Sequence, residues 1–230
     1  MARRHAITAE DDLRIPADAF NFTGFLKWAE SSEFPETGRI DYLEGTVEAD
    51  MSPEDLYTHS AVKTAIASTL TKLVVDPDLG ELFIDRARIT SRFVKLSVEP
   101  DLVMVLLASL QQGKVRPVPS AKNEPDRFIA LEGSPDLVVE IISDGSVHKD
   151  TVLLPRLYAQ AGVPELWLVD ARSDELRFDL FTLRDGRYEP VAPGAARWTR
   201  SPVLGRSFRL VRQRRPELGT WRYRLEQREG

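Results

Sequence analysis

The stretch Leu137-Val138-Val139-Glu140-Ile141-Ile142 decides how this chain is read. Aliphatic residues fill it without alternation, the pattern of a strand covered on both faces. One carboxylate interrupts it. An ionised glutamate buried in such a strand costs roughly several kcal/mol unless it is paired or coordinates a cation. Packing alone would put valine there. A buried ion pair with arginine or lysine is one task for Glu140; holding a divalent metal is the other.

A metal needs a second carboxylate nearby. Asp136 begins the same strand, but four residues of strand separate it from Glu140 by about 13 Å. Magnesium binds oxygen at about 2.1 Å, so its ligands converge within a few Å, and Asp136 is read as a strand-start residue. Asp101 fits better. It stands in Glu99-Pro100-Asp101-Leu102-Val103-Met104-Val105, at the mouth of a second aliphatic strand. If the two strands are neighbours, the carboxylates meet across a spacing of about 4.8 Å. A Pro-Asp pair before a strand is also ordinary turn chemistry, so Asp101 gains its weight from Glu140.

Outward from these strands the pattern is α/β. Residues 1–21 read as an irregular lead-in. Thr23 to Ala29 reads as a short amphipathic helix, and Arg39 to Met51 as a hairpin turning at Gly45. Ser52-Pro53-Glu54-Asp55 reads as the start of a helix running to about Val75, with Val62, Ile66, Leu70 and Leu73 on its inner face. Strands are expected near Leu82–Asp85 and Leu102–Leu107, and a loop from about Gln111 to Pro125. Thr151 to Ala161 reads as a helix, with Pro155 near its first turn and Gly162 as its stop. Glu165–Asp170 is another buried strand, so a right-handed crossover joins two strands of a mixed sheet. Short antiparallel strands follow. The expected organisation is the lead-in, an α/β domain over 22–185, and a C-terminal β extension over 186–230 packed on it.

The bulk numbers narrow the class. The chain has 230 residues, no cysteine, 42% hydrophobic and 29% charged residues, so disulfides and thiolate zinc sites are excluded. Glu10-Asp11-Asp12 follows the first residues where a secretory signal would be apolar. No window reaches the roughly 18 apolar residues of a membrane span. A cytoplasmic protein without a membrane partner is expected. The net charge of −5 argues against coating nucleic acid by bulk charge. From Arg197 onward, however, ten arginines stand against three glutamates. Such a stretch is either a solvated surface or a phosphate-contacting face. The histidines at 5, 59 and 148 have no zinc spacing, and no phosphate loop, dinucleotide fingerprint or nucleophile elbow is present.

Several blocks resemble a known family. Glu99-Pro100-Asp101-Leu102-Val103 is followed by Pro135-Asp136-Leu137-Val138-Val139-Glu140-Ile141-Ile142-Ser143. Then come Tyr158 and the run Ala161-Gly162-Val163-Pro164-Glu165-Leu166-Trp167-Leu168-Val169-Asp170, with Tyr42-Leu43-Glu44-Gly45, Met51-Ser52-Pro53 and His59 upstream. Together they are similar to the Uma-two family of restriction endonucleases, within the PD-(D/E)XK nuclease superfamily. The resemblance spans most of residues 22–185. It implies a restriction-endonuclease-like mixed β-sheet flanked by helices and cleavage of DNA phosphodiester bonds with Mg²⁺ or Mn²⁺. By the resemblance, Asp101 and Glu140 hold the metal, Asp41 and Glu44 fall at acidic positions of the first hairpin that can complete it, and a homodimer suits a two-strand cut. His59 either lines the cleft or is structural. The motif lysine is missing. Its position is Ile142, and the alternative in the following helix is Leu154. Lys149, just ahead of that helix, is the lysine that could orient the attacking water and offset phosphate charge. The rival class is a non-catalytic nuclease-fold module that binds nucleic acid or a protein partner.

Overall fold

Residues 13–120 and 125–229 are described in the computed structural model of the chain. The lead-in expected over 1–21 lies outside them up to residue 12; its remainder holds one 3-10 turn at Ala17–Phe20. Helix α1 (Phe22–Ala29) starts where Asn21 accepts a hydrogen bond from the Gly24 amide. Its Phe25, Leu26 and Trp28 pack with Ile40 and Tyr42. Strands β1 (Arg39–Leu43) and β2 (Thr46–Asp50) form the expected hairpin. Gly45 has φ of 101° and open space where a Cβ would stand. Backbone conformation, and not crowding, therefore requires glycine there.

The long helix begins later than the Ser52-Pro53 signal suggests. Asp55 caps it, accepting hydrogen bonds from the Tyr57 and Thr58 amides, while Ser52 bonds Asp50 instead. A carboxylate satisfies orphan amides and complements the positive helix end. The helix opens with a widened π turn, Leu56–Ser60, continues as α2 (Ala61–Leu70) and closes with a second, Thr71–Val75.

β3 (Gly80–Ile84), β4 (Arg88–Ser91), β5 (Leu96–Val98) and β6 (Leu102–Leu106) follow, then a short α3 (Leu107–Gln111), β7 (Val115–Pro119), β8 (Phe128–Gly133) and β9 (Leu137–Ile141). The loop expected from Gln111 to Pro125 is thus partly strand; residues 121–124 of it lie outside the described residues. Two prolines hide β7 in the sequence. It survives them at the sheet edge, where one side needs no donors, with a register shift at Val118/Pro119.

A widened turn at Lys149–Leu153 leads into α4 (Leu154–Ala161), and Pro155 sits in the first turn of α4, as expected, directly after the π turn. The wider circuit has room for a ring without an N–H. Gly162 ends the helix in the left-handed region, φ 83°. The chain closes with β10 (Glu165–Asp170), β11 (Arg177–Arg184), β12 (Arg187–Pro190), β13 (Thr199–Ser201), β14 (Arg206–Arg215) and β15 (Thr220–Glu229).

The central sheet runs β12-β11-β10-β9-β6-β3. In it β9 and β10 are parallel and the other pairs antiparallel. One face packs on α2 and on the antiparallel sheet β13-β14-β15, through Trp167, Phe208, Tyr223 and Leu225. The other packs on α4 and the second six-stranded sheet, β2-β1-β5-β4-β8-β7, through Val103, Val138, Leu157 and Tyr158. Cover on both faces explains the unbroken aliphatic runs of β6, β9 and β10. Among the described residues no helix is long and apolar enough to cross a membrane.

Candidate active site

Leu102 of β6 pairs with Val139 of β9. The next step of that antiparallel register sets Asp101 opposite Glu140. The Ile141 amide donates to Asp101 Oδ2 at 2.7 Å, which ties the carboxylate to the neighbouring strand. Asp101 is 0% and Glu140 1% exposed.

The two acids are held differently. Burial pushes the Asp101 carboxyl up, but its contact with His59 and the charges of Arg39 and Lys63 outweigh burial and hold it well below the usual carboxylate range. Arg39 Nη2 stands 2.7 Å from Oδ1, His59 Nε2 3.3 Å from Oδ2 and Lys63 Nζ 3.6 Å from Oδ1. Burial also pushes Glu140 up, and there the neighbouring Asp101 and Asp150 add to it, against a smaller pull from Arg39 and Tyr158. The Tyr158 hydroxyl donates to Glu140 Oε1 at 2.5 Å. One carboxylate is thus stabilised as an anion and the other is not.

Lys149 and Asp41 join this group. Lys149 Nζ lies 3.0 Å from Asp41 Oδ2, and the lysine side chain is 10% exposed, so it points inward. Burial lowers its pKa, but Asp41 and Glu140 more than reverse this and keep it charged. Asp41 also accepts the Glu99 amide at 3.0 Å. Glu44 is not brought in. It sits on the exposed β1–β2 turn and forms two hydrogen bonds with Arg156, at 2.8 and 2.5 Å. Asp136 turns away to accept from the Leu106 amide and the Ser109 hydroxyl. Ile142 and Leu154 are both buried, Leu154 within the core beside Tyr158.

Three contributors escape sequence reasoning: Arg39, Lys63 and Asp150 carry no motif. His59, read from the sequence as a cleft-lining or structural residue, does line the cleft. A signal for His59 and Lys63 exists in hindsight: four residues apart, they share a helix face. Asp150 is buried, with Oδ1 lacking a partner, and burial lifts its carboxyl to about 6. A cleft of about 850 Å³ opens beside the cluster, lined by Arg39, Glu54, His59, Asp85, Ser143 and Arg172 among others. Arg39 and His59 touch Asp101 from this side.

The donors suit a hard divalent cation. Register sets two carboxylates opposite one another, sulfur is absent, and burial, with the neighbouring charge of Asp101 added to it, lifts Glu140, a cost that a cation beside it would relieve. A second possible ligand group shares Asp101: single atoms of Glu54, His59 and Asp101 lie within 4.8 Å of one another. His59 Nδ1 is buried there without a hydrogen-bond partner. Lys63, 2.8 Å from Glu54, already places a positive charge beside that group.

Mixed sheets flanked by few helices, with an acid pair at the centre, define a restriction-endonuclease-like α/β fold. The chain belongs to the Uma2 family, described as "Putative restriction endonuclease", whose model matches residues 22–212. Among solved structures it is similar to a "putative nuclease belonging to DUF820" from Anabaena variabilis ATCC 29413, with TM-score 0.57 and 20% identity, covering 80% of this chain and 89% of that one. No curated protein matches the chain.

Proposed function

We propose that this chain is a Mg²⁺- or Mn²⁺-dependent endonuclease that hydrolyses phosphodiester bonds in DNA. The observation that carries the proposal is the acid pair, with Asp101 and Glu140 opposed in register, buried, and only one of them stabilised as an anion. Asp101 and Glu140 would hold the cation, and Asp41, which engages Lys149, would take part by way of water. When bound, the cation polarises the phosphate and acidifies the attacking water. The protein's own groups do the rest. Lys149 supplies fixed positive charge beside Glu140 to offset charge gathering on the phosphate. Tyr158 fixes the Glu140 carboxylate, and Asp41 fixes Lys149. Arg39 must share or release Asp101 for the cation to be held.

A cytoplasmic setting and a homodimer acting on both strands go with this proposal, as does a nuclease-like unit over 22–185 carrying a β extension. Glu44, expected beside the metal, has Arg156 as its partner and is left out of the proposed ligand set. The test is nicking of supercoiled DNA with Mg²⁺ or Mn²⁺. Activity should vanish in Glu140→Ala, and equal activity in both proteins would overturn the proposal.

A second reading has two observations in its favour. Arg39 already neutralises Asp101, and Ile142 and Leu154 leave no lysine at the usual places. A non-catalytic module binding nucleic acid or a protein partner would need nothing more. Calorimetric titration with Mn²⁺ separates the two: binding lost in Asp101→Ala supports the enzyme, and no binding to the unaltered chain supports the module.

A further inference from the structure

The arginines of the C-terminal sheet are sorted by face. Side chains alternate along a strand, and Phe208, Leu210, Tyr223 and Leu225 point into the core. The register joins Arg200 to Ser207, Ser207 to Arg228, Arg209 to Glu226, Val211 to Arg224 and Gln213 to Arg222. These residues therefore share the opposite, outer face. Arg200, Arg209, Arg222, Arg224 and Arg228 stand there; Glu226 is engaged by Arg209 at 2.6 Å, and Glu217, just past the end of β14, pairs with Arg215 at 3.0 Å and acts on Arg222 through its charge. Arg200, Arg222 and Arg224 are exposed and form no hydrogen bond or ion pair among the described residues. Like charges on neighbouring strands repel, and in a chain of net charge −5 folding gives no reason to gather them.

Two of the five are also held in place. The guanidiniums of Arg209 and Arg228 stand over the Trp198 ring, 4.9 and 4.5 Å from its centroid. Stacking fixes each planar fork before any ligand arrives, which lowers the ordering cost of binding. It also engages the Trp198 ring, so that ring is not a free platform for an unstacked base. That favours a duplex over a single strand, whose binders rely on base stacking.

We propose that the outer face of β13–β15 binds the phosphate backbone of duplex DNA without reading its sequence. Guanidiniums suit phosphate oxygens, and β15 presents Arg222 and Arg224 about 7 Å apart along one strand. The family match ends at residue 212, so Arg222, Arg224 and Arg228 lie outside what the chain shares with its family. The face is separate from the acid cluster, and its binding of DNA does not require cleavage.

The test is anisotropy of a labelled duplex with the full chain, in EDTA, across 50 to 200 mM salt. Each phosphate contact contributes about 0.9 to the slope of log affinity against log salt. The triple variant Arg200→Gln/Arg222→Gln/Arg224→Gln should reduce that slope by about 2.7. A control, Lys27→Gln/Lys72→Gln/Lys114→Gln, makes the same change in net charge at exposed lysines elsewhere and should leave the slope unchanged. An unchanged slope in the arginine variant, or an equal loss in the control, overturns the proposal. Tighter binding of a single strand of the same length overturns the assignment to duplex. Because the readout needs no divalent metal, failure of cleavage leaves it intact, and its failure leaves the nicking test intact.

Discussion

The Tyr158 hydroxyl donates to Glu140 Oε1 at 2.5 Å, from the helix that follows the glutamate's own strand. Both groups are buried, and burial, followed by the charge on Glu140, raises the phenol's pKa well above its ordinary value. The phenol therefore stays protonated as donor, and its hydrogen bond is one of the few influences that favour ionised Glu140. Tyr158→Phe leaves that oxygen without its donor. We expect a loss of about 1–3 kcal/mol in stability by urea unfolding, together with weaker Mn²⁺ binding at neutral pH. Unchanged stability and affinity would show that the bond matters to neither.

Lys149 has a separable role. It touches Asp41 and its charge acts on Glu140, but it is not a metal ligand. Lys149→Met should lower the DNA cleavage rate by about 10²–10³-fold while calorimetry still registers Mn²⁺ binding. A variant that cleaves at the original rate would remove Lys149 from the mechanism.

Lys63 is a buried cation with three acidic neighbours: Glu54, Asp85 and Asp101. Removing one partner from such a group strands charge in a poorly solvated place. Lys63→Met should cost about 3 kcal/mol in chemical denaturation. Lys63→Met combined with Asp101→Asn should recover part of that cost, since the stranded anion is gone as well. Additive losses would argue against the contact.

Glu165 supplies a pH test far from the acid cluster. It accepts from Trp167 Nε1 at 2.6 Å and from the Val203 amide at 3.1 Å, joining β10 to the C-terminal sheet. Burial raises its pKa above the ordinary 4.5, against the pull of Ser201, Trp167 and Val203. A carboxyl raised in the folded state binds more protons folded than unfolded. Its contribution is full below pH 4.5 and is lost as pH rises through the folded value. Stability measured by urea unfolding at each pH should therefore fall across that window less steeply in Glu165→Gln than in the unaltered chain. Equal slopes would place the titration elsewhere.

Much of the scaffold was legible because its signals are local. The aliphatic runs of β6, β9 and β10 announce doubly covered strands, Gly45 and Gly162 mark a turn and a helix end, and the change of pattern after Asp170 marks short antiparallel strands. The helix starts were displaced because Asp55 outcompetes Ser52 as a cap and because π turns leave no sequence mark. β4, β5, β7, β8 and β13 carry no clear sequence signal because strands of three to six residues, one carrying two prolines, gain their order from neighbours in the sheet.

At the site, sequence by itself determined that Glu140 is anomalous and that Asp101 is its best-placed companion, since burying a charge in an aliphatic strand has a cost any reader can weigh. It also determined that the arginines concentrate after residue 197. Tertiary structure alone decided which cations meet Asp101. Arg39, His59 and Lys63 come from a hairpin strand and a helix, and charge acts through space at a few Å with no regard for chain distance. It likewise decided that Lys149 points inward to Asp41 while Glu44 pairs with Arg156, and that five C-terminal arginines share one face, because strand register fixes the side of the sheet on which each side chain stands.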